Sequence, residues 1–143
     1  MKQIVFLILA VLAGLVVATL ITVQFEKLGT YWYPLPKPNP SPLEYMQYMA
    51  ASPVLLHVLY ILGYGLSVLV GGYVGGRLSP AQYRVRGVYL TGFTFILPVI
   101  VLIISVPRPI WAIVSILVIM VVFTVFSAII IENLFPKPKK NVT

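Results

Sequence analysis

The single histidine of the chain lies at one end of a row of polar side chains that could form a chemical site. The row is spaced by three, four and three residues: His57, Tyr60, Tyr64 and Ser67. Residues at these intervals share one face of a helix, and the residues around them are apolar. An ionisable side chain in apolar surroundings commonly binds a ligand or relays a proton, and Glu44 and Glu26 are candidate acidic partners. The alternative is a structural histidine whose ring is hydrogen-bonded within the fold.

The inventory of reactive side chains is too small for a conventional catalytic centre. One histidine, three acidic residues and no cysteine cannot supply a dinuclear metal site or a Cys–His pair. No serine lies in a nucleophile-elbow sequence, and the glycine-rich residues 71–76 lack the Lys-Ser/Thr ending of a phosphate-binding loop. We therefore predict that the protein is not an enzyme and that it holds no metal and no cofactor.

Four apolar runs dominate the chain and indicate the elements that position these side chains. They cover about residues 4–24, 54–76, 87–106 and 110–131. Each run is long enough to cross a bilayer as a helix, whereas barrel strands would be about ten residues long. A composition of 60% hydrophobic and 9% charged residues leaves too little polar surface for a water-soluble domain. We predict an all-α membrane protein, a single domain over residues 1–143 built as a four-transmembrane-helix bundle.

Basic residues are unequally divided between the two ends of the predicted helices. Seven lie on one side: Lys2, Arg77, Arg84, Arg86, Lys137, Lys139 and Lys140. Three lie on the other side: Lys27, Lys37 and Arg108. Because Lys and Arg near helix ends are retained in the cytoplasm, both termini are predicted to be cytoplasmic. The arginines and the lysine tail are then expected to contact anionic lipid headgroups, so the net charge of +7 does not indicate nucleic-acid binding.

The longest polar segment, residues 25–52, is predicted to form an ordered extracytoplasmic cap. Prolines at alternate positions over residues 34–42 disfavour helix and hold the chain extended. Ser41, Pro42 and Glu44 then supply an N-cap, a proline at the first helical position and the acidic residue of a capping box. A short capping helix is therefore expected from about Pro42 to Ala51, lying on the outer membrane surface or against a partner.

Small residues mark the faces along which the helices are expected to pack. Gly14 and Ala18 are four positions apart on the first helix. Two small-xxx-small pairs overlap on the second helix: Gly71 with Gly75, and Gly72 with Gly76. Such faces let two helix backbones approach closely. They predict either packing inside the bundle or a docking face for a different subunit.

Four short motifs together resemble a family of small uncharacterised bacterial four-helix integral membrane proteins. The motifs are YPLP at residues 33–36, YMAASP at 48–53, GGYVGG at 71–76 and PRPIW at 107–111. The resemblance covers nearly the whole chain. It implies the four-helix topology and a location in the bacterial inner membrane, and it implies no particular activity.

Two classes of function remain. The first is a non-catalytic accessory or structural subunit of a larger membrane complex, favoured by small size, glycine-lined helix faces, an ordered cap and few reactive groups. The second is a small homo-oligomeric transporter, channel or lipid-binding module, which would use the Tyr60, Tyr64 and Ser67 face. Pro98 would then be a moving hinge, whereas most prolines inside membrane helices produce a static kink. The expected partners are membrane lipids, together with other membrane subunits in the first class or further copies of this chain in the second.

Overall fold

The computed structural model of the protein describes residues 2–106 and 108–136. It contains five α-helices over these residues: α1 Lys2–Trp32, α2 Pro42–Ala51, α3 Val54–Leu78, α4 Arg84–Ser105 and α5 Ile110–Leu134. A 3₁₀ helix, Ala81–Tyr83, joins α3 to α4, and the described residues contain no strand. The tail lysines that were expected to contact headgroups lie outside the described residues: Lys137, Lys139 and Lys140.

Four of the helices, α1, α3, α4 and α5, are long and apolar enough to cross a membrane. Even the 22 residues of α4 reach about 33 Å, which exceeds the roughly 30 Å of a bilayer's hydrocarbon core. The prediction of an all-α protein with four long apolar helices is therefore confirmed. The chain is a multi-pass membrane protein.

The first helix is longer than its apolar run, because α1 continues past residue 24 to Trp32. Glu26 and Lys27 are charged but are good helix formers, so the loss of apolar character does not end the helix. Pro34 does end it, since the residue before a proline is biased toward extended backbone. The other three spans begin and end within three residues of their predicted positions.

The short helix expected at Pro42 is present as α2, and its N-terminus has the predicted capping box. The hydroxyl oxygen of Ser41 accepts a hydrogen bond from the Glu44 amide at 3.3 Å, and a Glu44 carboxylate oxygen accepts one from the Ser41 amide at 2.7 Å. Tyr48 on α2 stacks on Tyr33 with ring centroids 4.9 Å apart, and its hydroxyl donates to the Tyr33 carbonyl oxygen. These contacts hold the segment between α1 and α2 against α2.

The central helix is α3, which packs on α1, α4 and α5. Its contact with α1 depends on small residues. A Cβ atom added to Gly14 would lie 2.5 Å from the Gly71 carbonyl oxygen, and one added to Gly71 would lie 2.7 Å from the Ala18 Cβ. Both separations are far inside van der Waals contact, so the two backbones approach this closely only because these side chains are small.

The remaining glycines of this face contact α4 and α5. A Cβ atom on Gly75 would collide with the Thr91 side chain, and one on Gly76 would collide with Val88. Gly72 lies between side chains of α4 and α5. Neighbouring helices of the same chain therefore fill the glycine-lined faces. Docking of a different subunit on these faces, the other predicted use, stays a prediction.

The spanning helices alternate in direction, so their connections gather at two ends of the bundle. At one end the Gln82 side chain donates a hydrogen bond to Gln3, which joins the α3–α4 connection to the start of α1. At the same end the guanidinium groups of Arg77 and Arg84 lie 4.5 and 4.6 Å from the ring centroid of Phe135, just past α5. This basic end therefore holds the start of α1 and the end of α5. The opposite end, the loop end, holds α2 and the α4–α5 connection.

Candidate functional site

His57 lies at the loop end, where its ring is enclosed by neighbouring elements. The side chain is only 2% exposed. Its ring makes an edge contact with Trp111 of α5, with centroids 5.7 Å apart. Its Nε2 atom is 3.1 Å from the Ser52 hydroxyl oxygen, and that hydroxyl donates to the Met49 carbonyl oxygen at the end of α2. These contacts join α3 to α2 and α5 through one ring nitrogen of His57, whereas its Nδ1 atom is buried without a hydrogen-bond partner among the described residues.

Glu44 is not the acidic partner of His57. One of its carboxylate oxygens is 2.7 Å from the Lys37 ammonium nitrogen, and the other accepts the Ser41 amide. The hydrogen bonds from Lys37 and from the Ser41 amide lower the pKa of Glu44 below its ordinary value of 4.5. Glu44 therefore orders the loop before α2 and has no contact with the buried row on α3.

Arg108, in the α4–α5 connection, lies over the ring of Tyr60. Its guanidinium carbon is 4.9 Å from the ring centroid, which is a cation–π contact. Its Nε and Nη1 atoms are buried and have no hydrogen-bond partner among the described residues. A buried donor without an acceptor is costly. Arg108 is therefore able to bind an acceptor group that these parts of the protein do not supply.

A cavity of about 350 Å³, the outer cavity, lies beside Arg108 at the loop end. It is lined by Glu26, Thr30, Leu35, Tyr45, Tyr60, Leu102, Val106 and Arg108. Glu26 and Arg108 carry opposite charges but are not within ion-pair distance of each other. Burial raises the pKa of Tyr45, so its hydroxyl stays protonated and is able to donate a hydrogen bond. The outer cavity thus combines a cation, a carboxylate and two tyrosines.

A second cavity of about 240 Å³, the deep cavity, continues along α1 and α4. It is lined by Thr19, Thr22, Val23, Glu26, Tyr64, Phe95, Pro98, Val99 and Leu102. Most of these side chains are apolar. Tyr64 is 2% exposed, and its hydroxyl has no hydrogen-bond partner in the described part of the chain. The deep cavity therefore suits a mostly apolar group that also offers an acceptor to the Tyr64 hydroxyl.

The two cavities share Glu26 and Leu102 in their linings, so they are neighbours, and together they are called the lateral groove. The groove exists because α1 packs chiefly on α3 and only lightly on α4. Neither cavity is fully enclosed. Residues of α1 and α4 line both cavities, and the charged part of the groove lies at the loop end.

The predicted row on α3 is buried along one helix face but does not form one site. Tyr60 and Tyr64 line the two cavities, whereas His57 packs away from them. Ser67 has a different role, because its hydroxyl oxygen is 2.8 Å from the Thr22 hydroxyl oxygen on α1. The row therefore contributes two tyrosines to the lateral groove and two residues to helix packing.

The roles of Glu26 and Arg108 in the lateral groove are not visible in the local sequence pattern. The residues are far apart in the chain, and each stands alone in its own segment. Their proximity could have been predicted from the topology. In a bundle of four antiparallel spans, the C-terminal part of α1 and the α4–α5 connection lie on the same side of the membrane. The gap between α1 and α4 has no such signal.

No protein-family model, curated protein or solved structure matches this chain. The resemblance to small bacterial four-helix membrane proteins therefore stays a prediction.

Proposed function

We propose that this protein is a non-catalytic membrane module that binds a phospholipid in the lateral groove. It lies in the bacterial inner membrane, with both termini in the cytoplasm and the loop end outside. This is the lipid-binding form of the second predicted class of function. The headgroup lies in the outer cavity and the upper part of one acyl chain lies in the deep cavity. The rest of the lipid lies along the surface of the bundle.

The observation that carries the proposal is that the groove has a charged part, the outer cavity, and a mostly apolar part, the deep cavity. A phospholipid has the same division, and binding sites for amphiphiles are mostly apolar with a few placed polar groups. The unpaired donors of Arg108 suit a phosphate, because a guanidinium group forms charge-assisted hydrogen bonds with phosphate oxygens. The lateral opening lets a lipid enter without leaving the bilayer.

The proposed orientation is supported by the charges at the two ends of the bundle. The basic end carries four basic residues and one acidic residue: Lys2, Arg77, Arg84, Arg86 and Glu132. The loop end carries three basic and two acidic residues, a smaller basic excess: Lys27, Lys37, Arg108, Glu26 and Glu44. A basic excess is typical of the cytoplasmic side. Tyr31 and Trp32, which are 80% and 57% exposed at the loop end, suit the opposite headgroup region.

The accessory-subunit hypothesis has less support than lipid binding. It depended on glycine-lined faces that would receive a partner, and α1, α4 and α5 fill those faces. The exposed apolar side chains of α1 and α5 do not favour it either, because lipid covers such surfaces. A moving hinge at Pro98 and a transport function stay predictions.

A substitution that fills the deep cavity tests lipid binding. Val23→Trp places an indole in the cavity from α1. Val114→Trp places the same side chain on the surface of α5, where Val114 is 53% exposed and lines neither cavity. Each protein is purified in a mild detergent, and the phospholipid that remains bound is extracted and quantified per chain by mass spectrometry. We expect the wild type and Val114→Trp to retain phospholipid stoichiometrically and Val23→Trp to lose most of it.

Thermal unfolding of the two tryptophan variants controls for a general loss of structure. Equal retention of phospholipid by all three proteins would contradict the proposal, and so would a wild-type protein without phospholipid. A foreign polypeptide present in a fixed ratio to the chain would favour the accessory-subunit hypothesis.

A further inference from the structure

Two opposite charges face the outer cavity without forming a pair. Arg108 lies on the side of the α4–α5 connection with two unpartnered nitrogen atoms, and Glu26 lies on the side of α1. Neither residue makes an ion pair with any part of the chain that the structure describes. A carboxylate and a guanidinium group that served only to neutralise each other would be in direct contact. The outer cavity separates them, and Tyr45 and Tyr60 complete its walls.

Taking phospholipid binding as the premise, we infer that the headgroup is zwitterionic and carries a primary ammonium, as phosphatidylethanolamine does. Its phosphate accepts a charge-assisted hydrogen bond from one of the unpartnered nitrogen atoms of Arg108. Its ammonium group donates to the Glu26 carboxylate. Thr30 supplies a second acceptor beside Glu26, because its hydroxyl proton is donated to α1 carbonyl oxygens and its oxygen is left free to accept.

Other ligands match the outer cavity less well. An anionic headgroup without an ammonium would place its negative charge near the Glu26 carboxylate with no cation between them. A choline headgroup has no N–H donor, so it would lose the hydrogen bonds to Glu26 and Thr30. Free phosphate would leave the deep cavity without an occupant. A divalent cation would find one carboxylate, because Glu26 is the only acidic residue that lines either cavity.

A competition between headgroups tests the inference. The full chain is mixed in detergent micelles with equal amounts of phosphatidylethanolamine, phosphatidylcholine and phosphatidylglycerol that carry the same acyl chains. The lipids that stay bound are counted by native mass spectrometry. We expect the wild type to retain phosphatidylethanolamine at least about tenfold more than phosphatidylglycerol, because the anionic lipid forfeits a charge-assisted hydrogen bond.

Single substitutions then separate the two charges. Glu26→Gln is expected to remove the preference for phosphatidylethanolamine while lipid stays bound. Glu44→Gln removes the same charge at the same end but outside the groove, so it is expected to keep the wild-type preference. Arg108→Gln is expected to lower the retention of all three lipids, because every one of them has a phosphate.

The outcomes distinguish this inference from the proposed function. Retention of lipid without a preference for phosphatidylethanolamine overturns the inference and leaves lipid binding intact, whereas a wild type that retains no lipid overturns both. If Glu26→Gln keeps the preference for phosphatidylethanolamine that the wild type shows, the inference is also overturned. If Arg108 and Glu26 served only each other, the double variant E26Q/R108Q would bind the three lipids as the wild type does, and that result would overturn it as well.

Discussion

Individual charged residues differ in whether the fold neutralises them. Lys37 and Glu44 form an ion pair at 2.7 Å, and Glu44 also belongs to the capping box of α2. Arg108 and Glu26 lie at the same end of the bundle, yet each faces the outer cavity without an ion-pair partner among the described residues. The first pair therefore orders a loop, and the second pair is available to a ligand.

The pairing of Glu44 predicts a low titration midpoint. Because its pKa is lowered below 4.5 in the folded protein, the carboxylate stabilises the loop above pH 4.5, and this contribution is lost as pH falls through the lowered pKa. An NMR titration of the Glu44 carboxyl carbon is expected to give a midpoint below 4.5, and Lys37→Gln is expected to raise it. A wild-type midpoint at or above 4.5, unchanged by Lys37→Gln, would show that the ion pair does not form in solution.

At the scale of helices, the contact between α1 and α3 depends on backbone atoms that cannot move aside. The carbonyl oxygen of Gly71 lies where a side chain on Gly14 would begin. The contact between α3 and α5 at Gly65 is different, because the nearest atoms there are the side chains of Ile119 and Phe123 at 3.1 Å. Side chains can rotate, so this second contact should tolerate a methyl group.

A pair of glycine substitutions tests this difference. Both Gly14→Ala and Gly65→Ala add one methyl group to a buried helix position and change helix propensity equally. Gly14→Ala is expected to lower the free energy of unfolding by about 1–3 kcal/mol more than Gly65→Ala, because overpacking against backbone forces the helices apart. Reversible unfolding in mixed detergent micelles measures the difference. Equal stability of the two variants would mean that α1 and α3 are not in such close contact.

The sequence predicts the elements better than it predicts their packing. Apolar runs locate the four spans, and a capping box with a proline locates α2, since both signals are local. The end of α1 is missed because Glu26 and Lys27 are polar without being helix breakers. The lateral groove is missed for a different reason. The groove depends on the distance between α1 and α4, and no residue type in either helix predicts that distance.

At the scale of the whole molecule, the alternating directions of the spanning helices place different elements at the two ends of the bundle. The start of α1, the α3–α4 connection and the end of α5 share the basic end. The loop end holds the outer cavity, α2 and the exposed aromatic residues at the end of α1. The proposed lipid therefore lies in the outer leaflet if the basic end is cytoplasmic.

Labelling of single cysteines tests that orientation, and the chain has no cysteine of its own to interfere. Lys37→Cys lies at the loop end and Gln82→Cys at the basic end, and both native residues are exposed. In intact cells a membrane-impermeant maleimide is expected to label Lys37→Cys and to reach Gln82→Cys only after the membrane is permeabilised. The opposite labelling pattern would show that the molecule has the inverse orientation, with the proposed lipid site in the inner leaflet.

The mass of the intact protein tests the account most directly, because lipid in the lateral groove is its central claim. In native mass spectra recorded after purification in mild detergent, the wild type and Val114→Trp are expected to carry the added mass of a single phospholipid. Val23→Trp is expected to appear at the mass of the polypeptide alone. A wild type that also appears at the mass of the bare polypeptide would contradict phospholipid binding between α1 and α4.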